Sequence, residues 1–299
     1  MATNLASWRS RLPAPLSLAL LGLLTLLYGP LLWHWVDGWL NKSISIQHEY
    51  FSHGLLGIPF AAYLAWSQRQ TWQDSPDRAH PAGWGLLAIA AVLYTSGLTD
   101  WMNISLPLML AGLCLTLKGW AGLKQMAFPL ALVVLATPSQ LPYLIEPYVL
   151  PLQHFIATVA GFLLIQGGID VTVDQIYLRV NDQMVEVAPH CAGLKMLFTS
   201  LYVALMLTQW TGLWRSRLRT GLLFLSTVVM SVVANILRNT MLSYFHGTGN
   251  EAGFHWLHES WGGDVYSALT LLALVGIVQL LQRYVPARLS LQVDDTSMV

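Results

Sequence analysis

Apolar residues along the 299-residue chain fall into long, nearly unbroken runs. Runs near 14–36, 52–67, 82–99, 102–118, 122–137, 193–210, 219–242 and 264–282 approach the roughly 20 apolar residues that a helix needs to cross a bilayer. The second and fifth are short, so their limits are soft. A further apolar stretch, YVLPLQHFIATVAGFLLIQGG (148–168), carries Pro151, Gln153 and His154 near its start. Such residues suit a membrane interface better than its centre. Between 169 and 190 the pattern changes. IDVTVDQIYLRVNDQMVEVAPH alternates apolar and polar residues, and Asp-Gln and Asn-Asp offer turns. This alternation predicts a small β-hairpin. The expected fold is an all-α membrane protein: a polytopic bundle of about eight transmembrane helices with a small extracytoplasmic β-hairpin and one interfacial helix. Residues 1–285 form a single expected domain, and 286–299 a disordered cytoplasmic tail.

Composition explains the runs. The chain is 55% hydrophobic and only 10% charged, whereas soluble domains carry about 25% charge. So little charge cannot cover a water-facing surface, and the expected solvent is the lipid bilayer. A formal net charge of zero supplies no field to attract nucleic acid. Thirteen tryptophans and eleven tyrosines match residue types that favour membrane interfaces. The N-terminal basic residues and the apolar run behind them read as a first span rather than a signal peptide, because no small-x-small cleavage site is convincing.

Positive charge sets the expected orientation. Arg9 and Arg11, Arg69 and Arg78, Lys118 and Lys124, Arg215, Arg217 and Arg219, and Arg283 and Arg288 mark alternate connections. The intervening connections, 37–51, around Asp100, 138–147 and 243–263, are poor in Lys and Arg. Both termini are therefore expected in the cytoplasm. An odd number of crossings must separate 138–147, outside, from 211–219, inside. The 193–210 run supplies one crossing, which leaves 148–168 in the outer interface. A ninth full crossing is the alternative.

Three segments carry candidate chemistry. In EVAPHCAGLKMLF, Cys191 stands where a polar segment meets a helix expected to begin near Ala192. A helix N-terminus favours a thiolate, although most free cysteines are small buried hydrophobes. Cys114 lies mid-run, so both cysteines are expected as free thiols. In SVVANILRNTMLSYFHG, Arg238 is expected about one turn from the outer end of its helix. An arginine there faces protein or a water-filled cavity, or snorkels to the interface. Asn235, three residues earlier, either braces the guanidinium or bonds within the bundle. In NEAGFHWLHESWGGDVY, His255 and His258 share a face if helical. His246, Glu251 and Glu259 lie nearby, yet the spacing is not that of a metal-binding HExxH, and no metal or cofactor is expected. Glu186, His48 and His53 are candidates to line the same outer face. The charge pattern puts Cys191, Arg238 and His258 on one side of the membrane. A thiol, a base and a fixed cation are the parts needed to attack a peptide carbonyl. The residues leave open whether His258 or His255 is the base.

These segments resemble the exosortase/archaeosortase family of membrane transpeptidases. The resemblance rests on EYFSHGLL for an early Tyr-x-His-Gly-type element and on HCAGLKMLF for a Cys-Ala-Gly element opening a helix. It rests also on ANILRN for an Asn-x-x-Arg element, and on LHESWGGDVY for a His followed by an aromatic-Gly pair. The wording APHCAGLKMLFTSLY most resembles the cyanobacterial branch. The resemblance implies Cys191 as nucleophile with Arg238 and His258 as partners; Asn235 and His53 fall in its matched elements, and His255 and Glu186 are supporting candidates by their place on the outer face. The implied substrate is the C-terminal sorting signal of an exported protein: a Pro-Glu-Pro-type motif, a membrane helix and a basic tail. Cleavage through a thioester and transfer to an acceptor nucleophile would take place at the outer face of the cell's inner membrane. Ala192 stands where serine is more frequent in the family. A transporter or polysaccharide-export component without peptidase activity is the competing reading from composition alone, and a redox or metal module using His246, His255 and His258 is a third.

Overall fold

The computed structural model describes residues 15–40, 50–188, 193–258 and 260–286. Within them the chain is mostly helical and separates into two compact units. The first comprises the described residues of 1–49 and 65–139, the second those of 50–64 and 140–299. Four helices are long and apolar enough to cross a membrane: α1 (Pro15–Leu40), whose apolar window begins at Leu18, α5 (Thr99–Gln125), α10 (Arg217–Gly247) and α12 (Trp261–Tyr284). Shorter apolar helices are α2 (Gly54–Ser67), α4 (Pro81–Thr95), α6 (Ala127–Ala136) and α8 (Leu150–Gln166). The small helices α3 (Arg69–Asp74), α7 (Leu141–Ile145) and α11 (Glu251–His258), and the 17-residue α9 (Leu194–Trp210), complete the set among the described residues.

In the first unit, α4 packs closely along α5. A Cβ on Gly83 would lie 2.7 Å from the Thr116 amide nitrogen, so only a residue without a side chain permits this approach. The chain expected to pause between 118 and 122 bends at Gly119, whose φ of 60° and ψ of −151° belong to glycine. Several buried polar side chains here are paired. Trp35 Nε1 donates to Asn103 Oδ1 at 2.7 Å, and Asn103 Nδ2 donates to the Pro138 carbonyl at 3.2 Å. The Tyr28 and Ser105 hydroxyls share a hydrogen bond of 3.1 Å, and Tyr94 donates to the Leu27 carbonyl. Buried Lys118 binds the Asp77 carboxylate at 2.6 Å and the Ser75 carbonyl.

The second unit is organised around α10, which touches α8, α9, α11, α12 and two strands. Ala204, Leu213, Leu223, Leu274 and Val278 form a fully apolar core where α9, α10 and α12 meet. Near it, Arg219 Nε donates to the Val285 carbonyl at 2.9 Å. The cation thus satisfies a carbonyl just past the end of α12 and complements that helix's dipole.

The expected hairpin is instead a three-stranded antiparallel sheet, β1 (Val171–Asp174), β2 (Tyr177–Val180) and β3 (Gln183–Glu186), in the order β1-β2-β3. Two turns require three strands. Asn181 and Asp182 both have positive φ, 44° and 71°, as a two-residue hairpin turn demands. Leu178 and Val180 are fully buried. Gly161 of α8 and Gly247 at the end of α10 leave room for Val173 and Val180 respectively. Gln153 Nε2 donates to the Val187 carbonyl at 2.8 Å, tying α8 to the end of the sheet. The polar residue expected to hold 148–168 at an interface is therefore buried and used in packing.

Candidate active site

His53, Glu186, Asn235, Arg238, His255 and His258 all lie in the second unit. Cys191, with His190, His48 and Glu259, lies outside the described residues.

A line of small and polar side chains at four-residue spacing runs along α10: Thr227, Ser231, Asn235, Asn239, Ser243 and Gly247. Residues four apart share a helix face, and every member is buried. Thr227 Oγ1 donates to the Leu223 carbonyl at 2.7 Å, and Asn239 Nδ2 to the Asn235 carbonyl at 2.9 Å. The others differ. Ser231 Oγ, Ser243 Oγ and both polar atoms of the Asn235 carboxamide have no hydrogen-bond partner among the described residues. A buried polar group left without a partner costs about 1–3 kcal/mol.

Arg238 follows one turn after Asn235. Its Nε is buried and likewise unpartnered, and the guanidinium makes no ion pair among the described residues. The helix does not stop near 242. It runs to Gly247, so Arg238 stands nine residues before its end, about 14 Å of rise rather than one turn. The extra length comes from Ser243–Gly247, whose buried face packs on the sheet.

Two glycines define what surrounds this pair. Gly193, at the N-terminus of α9, has a φ of 82° and contributes no side-chain cap to the helix. A Cβ there would lie 2.5 Å from Asn235 Cγ and 2.8 Å from Nδ2. The carboxamide thus rests on the bare backbone that starts α9. Gly263, in the first turn of α12, holds the other side. A Cβ on it would lie 3.6 Å from Arg238 Nη2 and 3.0 Å from the Leu257 carbonyl oxygen. Those two atoms are consequently less than about 7 Å apart, and the arginine head borders the residue preceding His258. Tyr266, one turn further along α12, donates its hydroxyl to the Ala234 carbonyl and so pins α12 to α10 beside Asn235.

His258 stacks on Phe254, with ring centroids 5.2 Å apart and an interplanar angle of 11°. The opposite neighbour of Phe254 is His246, also at 5.2 Å, whose Nδ1 lies 3.8 Å from Glu251 Oε1. His258 is half-buried, while His255 is exposed. His258 directly follows Leu257, whose carbonyl oxygen borders Gly263 together with Arg238 Nη2. Among the described residues, no three His, Cys, Asp or Glu side chains stand close enough to hold a metal ion. Cys114, the other thiol, is buried and free in the first unit.

His53 is buried just before α2 and packs against Tyr202 of α9, with ring centroids 4.3 Å apart and planes tilted by 37°. A Cβ on Gly57 would overlap the Tyr202 ring, so α2 and α9 cross at close range. Tyr202 is about 12 Å along α9 from Leu194, which sets His53 on the α2–α9 seam rather than in the Asn235–Arg238 group. Glu186 ends β3 opposite Tyr177 and is exposed.

Several contributors were not singled out by sequence reasoning. Phe254 was detectable as the residue one helical turn before His258. The four-residue spacing of Ser231, Asn235, Asn239 and Ser243 is visible in the chain. Gly263 and Tyr266 have no local signal, because their partners are distant in sequence.

A family model described as transmembrane exosortase matches residues 35–275, most of the chain and all of the site residues. No curated protein and no solved structure matches it.

Proposed function

The chain belongs to the transmembrane exosortase family, and from that premise we propose a cysteine transpeptidase that cleaves a C-terminal sorting signal at the outer face of the inner membrane. It is a multi-pass membrane protein whose family acts in protein sorting. In this reading the shorter apolar helices complete about eight crossings, both termini face the cytoplasm, and the family branch is the cyanobacterial one.

The observation that carries the reading is the seat of Asn235 on Gly193, with Arg238 one turn away. Gly193 is two residues from Cys191, and two residues of chain reach at most about 7 Å. In this reading the Cys191 thiol works beside the polar stretch of α10 that holds Asn235 and Arg238. The chemistry follows from the three groups. His258 takes the thiol proton, and the Cys191 thiolate adds to the scissile carbonyl carbon of the signal peptide. The tetrahedral intermediate collapses, the C–N bond breaks, and the proton passes to the leaving amine. A thioester remains on Cys191. The acceptor nucleophile then attacks it, the C–S bond breaks, and the thiolate is restored. Arg238 supplies fixed positive charge where the oxyanion develops. The substrate's own membrane helix lies in the lipid beside the protein, and its motif emerges at the outer interface.

The test is processing of a reporter ending in the motif, helix and basic tail, in membranes carrying the full chain. Cys191→Ala is expected to insert normally and to abolish cleavage. Cleavage at the wild-type rate by this variant would remove the proposal, and would favour a transport role.

A further inference from the structure

Asn235 is 2% exposed, yet neither atom of its carboxamide finds a partner among the described residues. Its neighbours on the helix show that this is not for want of an acceptor. Asn239 donates to the carbonyl four residues back, as do Thr227 and Thr240. Asn235 could do the same to Ser231 and does not. Nor does it bind Arg238, whose Nε is also unpartnered. Its side chain is directed instead at Gly193, the residue just before a 17-residue helix that lacks a side-chain cap. A helix N-terminus presents free N–H groups and partial positive charge. A buried, unused amide aimed at that end gives it a further donor.

We propose that Asn235 is a catalytic residue that completes an oxyanion hole: its Nδ2 donates to the oxygen of the attacked carbonyl, together with the N–H groups that open α9, while its Oδ1 accepts a backbone N–H of the substrate. A carboxamide has one donating and one accepting end, which matches a peptide group. Preformed donors aimed at developing charge need no reorganisation during reaction. The hydrogen bonds missing among the described residues are then those made with the substrate. The assignment rests on the cysteine transpeptidase reading and gives Asn235 a role separate from that of Arg238.

The test uses the full chain in lipid vesicles with the same tailed reporter. Asn235→Asp keeps the shape and removes the donor; Asn235→Ala removes both ends. Both are expected to lower kcat about 100- to 1,000-fold with KM changed less than about threefold. The rate at which iodoacetamide alkylates Cys191 should stay at the wild-type value. Thermal stability of Asn235→Ala in mild detergent should be unchanged or higher, because an unsatisfied buried group has been removed. A bracing residue would give the opposite pattern, with lower stability and activity falling only as folded protein is lost, and that result overturns the proposal. So does a kcat within fivefold of wild type in both variants. Cys191→Ala run in parallel separates the two readings. If it still cleaves, the transpeptidase reading fails; if it does not cleave while Asn235→Ala does, the oxyanion assignment alone fails.

Discussion

The two units treat buried polar groups in opposite ways. In the first, Trp35, Asn103 and Pro138 form a closed chain of hydrogen bonds, Tyr28 meets Ser105, and Lys118 meets Asp77 and Ser75. Trp39 Nε1, beside the undescribed 41–49 segment, is an exception. In the second, Ser231, Asn235, Arg238 and Ser243 hold buried polar atoms that nothing among the described residues satisfies. Polar groups that satisfy each other add rigidity and leave little for a ligand to do. Polar groups that are buried and open lower the stability of the free protein and are available to whatever enters. In the proposed reading the first unit serves as scaffold and the second holds the site.

The largest effect expected from this contrast is at Arg238. Lysine keeps the charge but not the planar fork of donors. Arg238→Lys should lower reporter processing at least about 100-fold, equivalent to roughly 2.7 kcal/mol of transition-state stabilisation, with little change in thermal stability. A matching drop in stability would move Arg238 into the scaffold class and break the contrast. Asn103→Leu probes the other side. It strands the Trp35 indole and the Pro138 carbonyl, and should cost about 1–2 kcal/mol in detergent unfolding. Turnover per folded molecule should remain near wild type; a selective loss of turnover would give the first unit a catalytic part. Asp77→Ala is the smallest. Asp77 is largely exposed, so its pair with Lys118 contributes less than about 1 kcal/mol. A larger loss of stability would show that Lys118 depends on this carboxylate rather than on the Ser75 carbonyl.

Much of the helical layout was legible in the chain because lipid imposes a simple rule. Each apolar run must satisfy its backbone internally, and a helix does so without help from distant residues. The helices therefore fall where the hydropathy runs fall, and Gly119 breaks α5 where the run weakens. Local rules served less well for the sheet. Both turns, Asp174-Gln175 and Asn181-Asp182, were readable, with Gln175 at a φ of 55°, but the alternation alone did not show that three strands pair around them. The end of α10 was also misjudged, since Ser243–Gly247 is too polar to read as membrane helix and is held by packing against Val180.

By itself, the sequence determined the solvent, the helical class and the residue types able to do thiol chemistry. Those follow from composition and from periodicity along a single segment. The tertiary structure alone decided which polar groups stay unpaired among the described residues, that Leu257 borders the Arg238 head, and that Asn235 meets Gly193. Whether a side chain is satisfied depends on partners far away in sequence, and only folding brings those partners together or keeps them apart.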